Sequence, residues 1–129
     1  HSGNALAISA ALAALQVYCS DDFRSAQARL STRLVALFNT IATETSLLKG
    51  ITSLGTVVAA DIDTQSRPDL SRMGYAVMQA GYETGVLLRP LGNRLYWTPP
   101  LNMDDKSLER LYHGTKEALQ QVCCRMVHE

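Results

Sequence analysis

Net charge is what this sequence most plainly lacks: its 12 basic and 12 acidic residues cancel over 129 positions. A nucleic-acid surface would show a basic stripe with interleaved aromatics, and an electrostatic membrane anchor would show clustered Lys or Arg, so neither partner is expected. A disulfide framework is missing too. Cys19, Cys123 and Cys124 are odd in number, and the adjacent pair cannot close an ordinary strain-free disulfide, which predicts reduced thiols and a cytoplasmic setting. The apolar opening from Ala5 to Val17 lacks the basic flank of a signal peptide and is too short to span a bilayer. No Gly-x-Gly-x-x-Gly or phosphate-cradling loop occurs, and there is no repeat, linker or low-complexity tract.

What is present suits one domain, 1–129, because a hydrophobic content of 47% can supply a core of ordinary size. Ser2 is placed to cap a first helix in which Ile8, Leu12, Leu15 and Cys19 recur at helical spacing. Ser20, Asp21 and Asp22 break it and start a second helix, whose Phe23, Leu30, Leu34, Leu37, Phe38 and Ile41 form a stripe that predicts a core-facing side. From Leu47 to Ile62 the pattern turns to β, with Gly50 and Gly55 punctuating a run that reads as one broken strand pairing with the hairpin of residues 86–96. Pro68 and Asp69 suit the first turn of a third helix, with Leu70, Met73, Val77 and Ala80 inward and Gly85 at its end, while Gly81 weakens the last turn. After Pro99-Pro100, Asp104 is placed to cap a final helix facing inward through Leu108, Leu111, Thr115, Leu119, Val122 and Met126. The fold class expected is α+β, a small, mainly antiparallel sheet covered by helices.

The stretch from Val86 to Tyr96 carries the chemistry. Val86, Leu87 and Leu88 read as a short strand bounded by Gly85 and Pro90, and Pro90, Gly92 and Asn93 supply a turn back into a second strand ending at Tyr96. This hairpin fixes Arg89 at the end of its first strand. A held guanidinium offers a planar fork of donors that matches a carboxylate; the plainer reading is a solvated arginine at a strand end. Other constellations are weaker. His113 has no partnered nucleophile, Asp61 and Asp63 suit a solvated strand end better than an acid/base or metal pair, and Cys124 with His128 would give only two ligands near a fraying terminus.

The string Gly85-Val86-Leu87-Leu88-Arg89-Pro90-Leu91-Gly92-Asn93-Arg94-Leu95-Tyr96 with Pro99-Pro100 resembles the C-terminal signature of the class III pyridoxal-phosphate aminotransferases. Within them it is most similar to the diaminopelargonate synthases of biotin synthesis. Ser2-Gly3-Asn4-Ala5-Leu6-Ala7, leading into an alanine-rich helix, is similar to the segment that follows the phosphate-binding threonine of that family. The resemblance covers nearly the whole chain. It implies the C-terminal small domain of a fold type I enzyme that uses pyridoxal phosphate, works as a homodimer, and transfers an amino group from S-adenosylmethionine to 8-amino-7-oxononanoate.

By the same resemblance, Arg89 matches the arginine that grips the substrate carboxylate, and Tyr96 matches a tyrosine lining the same pocket. Leu91 replaces an aromatic common after the Arg-Pro pair, Trp97-Thr98 varies before Pro99-Pro100, and Thr52 stands where an arginine is frequent. The lysine that would carry the cofactor as a Schiff base is implied upstream of His1, and Lys49, Lys106 and Lys116 lie in no matching context. The expectation is therefore a C-terminal piece of an enzyme, inactive alone, with no cofactor or metal site of its own. The alternatives are a piece of another class III ω-aminotransferase or a free-standing binding or assembly domain.

Overall fold

A computed structural model describes residues 3–64 and 72–125. Four helices, α1 (Ala5–Tyr18), α2 (Asp21–Thr45), α3 (Met73–Glu83) and α4 (Asp105–Arg125), accompany three strands, β1 (Leu48–Leu54), β2 (Val57–Ile62) and β3 (Arg94–Trp97). The strands form one antiparallel sheet in the order β1-β2-β3. This is the expected α+β class.

Local signals explain most of the helix ends. The Ser20 hydroxyl accepts from the Phe23 N–H, and Asp21 and Asp22 lie in the first turn of α2, where negative charge complements the free N–H groups. Asp104 accepts from the Ser107 N–H at 2.7 Å and starts α4. The first helix begins differently from expectation, with Asn4 rather than Ser2 as its cap. The Asn4 Oδ1 accepts from the N–H groups of Leu6 and Ala7, so two free donors are satisfied by one side chain. Ser2 lies outside the described residues, as do Pro68, Asp69, Leu70, Met126 and His128.

At the end of α3 the Val86 N–H bonds to Gly81 O and the Gly85 N–H to Tyr82 O, the paired bonds of a Schellman cap. Gly85 takes φ +77°, a left-handed conformation that a Cβ would penalise.

Two strand expectations need correction. The region read as one broken strand is a hairpin, β1 and β2, closed between Leu54 and Val57 by Gly55-Thr56. Gly55, at φ +56°, supplies the positive φ that a two-residue loop requires, although the dipeptide lacks the commoner Asn-Gly or Asp-Gly form. The second correction concerns Val86 to Leu88. That segment is extended but joins no ladder, and the turn at Gly92-Asn93 is closed by a single bridge between Leu91 and Arg94. The partner of β3 is β2 instead, with Val58 opposite Trp97 and Ala60 opposite Leu95. Pro90 offers no N–H to a ladder, while β2 presents an apolar face that Leu95 and Trp97 can join.

The core lies between that face and the helices. Val58, Ala60, Ile62, Leu95 and Trp97 are buried from the sheet; Leu30, Leu34, Phe38 and Ile41 meet them from α2, and Leu108, Ala118, Leu119 and Val122 from α4. Helix α3 packs on α4 and adds Val77 and Ala80 to the core. Its Gly74 allows a close approach, since a Cβ there would sit 1.8 Å from the Gly92 carbonyl oxygen. Trp97 ties three elements together. Its ring meets Phe38 edge-on at 4.7 Å, and its indole N–H donates to the Thr115 hydroxyl, which in turn donates to Leu111 O at 2.7 Å. Thr115 is fully buried. Replacing it by valine keeps the shape but leaves the indole N–H unsatisfied, so Thr115→Val is expected to lose about 1–3 kcal/mol of stability in urea unfolding, whereas Thr115→Ser keeps the acceptor and loses only a buried methyl, about 1 kcal/mol.

On the surface, α2 and α4 are joined by Glu44, which accepts from the Tyr112 hydroxyl at 2.7 Å and pairs with the Lys116 ammonium at 2.9 Å. The Lys116 hydrogen bond, then that of Tyr112, holds the Glu44 carboxyl below its ordinary value, and the same carboxylate raises both Lys116 and Tyr112. A carboxyl whose folded value is depressed contributes stability above its unfolded value and loses it as pH falls through the folded one. The stability gap between the wild type and Glu44→Gln should therefore be open at neutral pH and close on acidification below about 4, the ordinary carboxyl range. Thermal melts across pH 2.5–7 would check this, and a gap independent of pH would contradict the assignment.

Candidate functional site

The segment leaving α3 determines where Arg89 stands. Val86 and Leu88 point inward and are buried, whereas Leu87 and Arg89 alternate outward, as side chains do along any extended backbone. After the turn, β3 has the same alternation: Leu95 and Trp97 are buried, while Arg94 and Tyr96 are half-buried on the opposite face. Beyond β3 the chain passes Thr98 and Pro99, turns through a bond from the Met103 N–H to Pro100 O at 3.0 Å, and enters α4 at Asp104. Hydrogen bonds from the Ser107 N–H and hydroxyl keep the Asp104 carboxyl below its usual range, so the cap is ionised at neutral pH.

These pieces enclose a cavity of about 300 Å³ lined by Leu87, Arg89, Tyr96, Trp97, Thr98, Pro99, Met103 and Leu111. The two residues singled out in the sequence therefore face one space. Its walls are mostly apolar, with Arg89 as the one charge and the Tyr96 and Thr98 hydroxyls as polar groups. The Arg89 side chain takes part in no hydrogen bond or ion pair recorded among the described residues. Arg94, five positions on, is held by Asp61 at 2.7 Å and by the Thr52 hydroxyl at 2.6 Å. A guanidinium with no carboxylate partner among the described residues, beside apolar walls, suits a carboxylate attached to a carbon chain.

Sequence reasoning missed part of the lining. Leu87 could have been found from its place two residues before Arg89 in an extended run, and Leu111 was assigned simply to the core. Met103 carries no local signal, because the turn after Pro100 brings it to the cavity. A larger cavity, about 460 Å³, lies between α2 and the start of α4, lined by Ala26, Arg29, Leu30, Arg33, Leu101, Asn102, Met103, Asp105 and Leu108. There Arg33 already pairs with Asp105 and Glu109.

The remaining candidates resolve into ordinary contacts. Asp61 pairs with Arg94 and Asp63 with Lys49 at 2.6 Å, and the Asp63 side chain is more enclosed than a solvated strand end, at 13% exposure. His113 is exposed on α4 with its ring against Tyr112. Among the described residues no three His, Cys, Asp or Glu side chains gather as metal ligands, and no helix is long and apolar enough to cross a membrane. Cys19, Cys123 and Cys124 are free thiols. None of the three lysines lines the cavity. Lys49 and Lys116 are paired with Asp63 and Glu44, and Lys106 is exposed near the start of α4.

The chain is 33% identical over 125 residues to the adenosylmethionine-8-amino-7-oxononanoate aminotransferase of Nitratidesulfovibrio vulgaris, covering 92% of this chain and 23% of that protein. It is 27% identical over 128 residues to the enzyme of the same name from Helicobacter pylori, covering 95% of this chain and 28% of that protein. The chain thus spans about a quarter of the length of these relatives. The fold is shared with N-acetylornithine aminotransferase from Stenotrophomonas maltophilia, at a TM-score of 0.77 and 19% identity over 89% of this chain and 31% of that one. It is shared equally with the omega-transferase of Vibrio fluvialis, at a TM-score of 0.77 and 19% identity over 91% of this chain and 28% of that one. The family model for class-III aminotransferases matches residues 1–119, and the chain belongs to that family.

Proposed function

We propose that this chain is the C-terminal small domain of a pyridoxal-phosphate-dependent aminotransferase of biotin biosynthesis, a cytoplasmic homodimer that moves an amino group from S-adenosylmethionine to 8-amino-7-oxononanoate. Two relatives of that printed name support the choice of reaction. The observation that carries the reading is the meeting of Arg89 and Tyr96 at one largely apolar cavity, with no internal carboxylate recorded on Arg89.

In this reading Arg89 binds the substrate carboxylate through a charge-assisted bidentate pair. Tyr96 lines the same space and limits the poses available to the carbon chain. Fixing the far end of a substrate raises the effective concentration of its reacting end, a contribution that requires no chemistry from the domain itself. The cofactor, when bound, supplies the electron sink for amino transfer. The residues described here do not fit it: Lys49 and Lys116 are held in ion pairs and no lysine faces the cavity, so the cofactor's lysine belongs to another part of the enzyme.

In the intact enzyme, Arg89→Ala should raise KM for the carboxylate-bearing acceptor by roughly ten- to a hundredfold, the worth of about 1.5–3 kcal/mol for a hydrogen bond to a charged group. Arg89→Lys should lose nearly as much, since an ammonium lacks the planar fork. Cofactor absorbance should stay unchanged in both. Steady-state kinetics with the acceptor varied would test this, and wild-type KM in Arg89→Ala would remove the residue from the site.

A further inference from the structure

We propose that Asn93 is a positioning residue for Arg89, fastening the turn that follows the arginine to the start of α3; this rests on the reading of Arg89 as the carboxylate anchor. Helix α3 has no cap of its own, because Arg72 at its N-cap position makes no side-chain bond to the first turn. The cap comes from 19 residues away. Asn93 Oδ1 accepts from the Gly74 N–H at 2.9 Å, satisfying one of the donors that a helix start leaves free. The Asn93 carbonyl accepts from the Ile62 N–H at 2.8 Å, so one residue is held both by α3 and by the end of β2.

The turn has a second fixture. A Cβ on Gly74 would sit 3.2 Å from the Pro90 Cβ as well as 1.8 Å from the Gly92 carbonyl oxygen, so the start of α3 lies directly against the turn on the far side from its bridge between Leu91 and Arg94. Pro90 in its place keeps the residue before it out of the helical region, and that residue is Arg89. With no side-chain partner of its own among the described residues, Arg89 takes its aim from this backbone. Removing the Asn93 acceptor leaves the Gly74 N–H unpaired and lets the turn draw away from α3, while the ladder of β3 on β2 stays. A bidentate pair depends on orientation as well as charge, so a displaced fork holds the carboxylate less well.

The test is a double-mutant cycle in the intact aminotransferase, read as KM for the carboxylate-bearing acceptor. Asn93→Ala should raise that KM about three- to tenfold with kcat and cofactor absorbance unchanged, and Asn93→Asp, which keeps an oxygen facing the helix start, should return it to near the wild-type value. In an Arg89→Ala background the same Asn93→Ala change should add nothing, since its effect passes through the missing guanidinium. A cap with a merely structural role would not distinguish the two backgrounds. A wild-type KM in Asn93→Ala, no recovery in Asn93→Asp, or an equal rise with and without Arg89 overturns the proposal. Should Asn93→Ala fail to fold, Asn93→Ser carries the same cycle, its hydroxyl being one atom shorter than the amide oxygen it replaces. Arg89→Ala alone separates the two readings. If its KM is that of wild type, the carboxylate site itself is wrong; if its KM rises while Asn93→Ala is silent or additive, only the role of Asn93 falls.

Discussion

The fold turns on where Trp97 can go. Its ring is met edge-on by a buried neighbour and its indole N–H by an acceptor, because it lies between Phe38 of α2 and Thr115 of α4. This placement joins the sheet to two helices at once. It also sets the register of β3 on β2, because a slip by one residue would carry Trp97 and Leu95 to the wet face and Tyr96 to the core. Tyr96 is therefore aimed by its neighbour. The same tryptophan forms a wall of the Arg89 cavity, so the core contact and the candidate site share one side chain.

The parts of the fold legible in the sequence are those governed by short-range physics. The stripe of Leu30, Leu34, Phe38 and Ile41 and that of Leu108, Thr115, Leu119 and Val122 are buried as their spacing predicts, and Ser20 and Asp104 act as caps. That the 47–62 region pairs with the 86–96 segment was legible, but which arm of that segment would join the sheet was not. Val86 to Leu88 has the composition and alternation of a strand, but nothing local says that β3 will take its hydrogen bonds from β2. The hairpin at Gly55 was hidden because its loop is Gly-Thr, which signals a turn only through the glycine. For the site, Arg89 and Tyr96 stood out through resemblance, whereas Met103 reaches the cavity through a turn whose geometry no spacing encodes.

Helix α1 obeys a different rule from the rest. It has no charged residue and no buried one, and Leu6, Ile8, Leu12, Leu15 and Val17 are all more than half exposed. A helix apolar on all sides is ordinarily enclosed, and no contact in this fold encloses it. The core drawn from α2, α3, α4 and the sheet closes without it. Its sequence is thus unexplained by the packing of this domain, in contrast to α2, where every large inward residue has a neighbour to account for it.

Charge placement gives Arg89 its character. Arg33 is matched by Asp105, Arg94 by Asp61, Arg125 by Glu83, Lys49 by Asp63 and Lys116 by Glu44. Each pair is an exposed or partly exposed contact worth little to stability alone. Their combined effect is one of selection: five carboxylates are committed elsewhere on the surface, while the walls around Arg89 are Leu87, Trp97, Pro99, Met103 and Leu111, with no acid among them. Arg89 is itself exposed, so what sets it apart from the paired arginines is the lack of an acid among its cavity neighbours. The neutrality of the whole chain thus hides a local asymmetry, and the proposal that this cavity, rather than the larger one already balanced by Asp105 and Glu109, takes a carboxylate with an apolar tail rests on it.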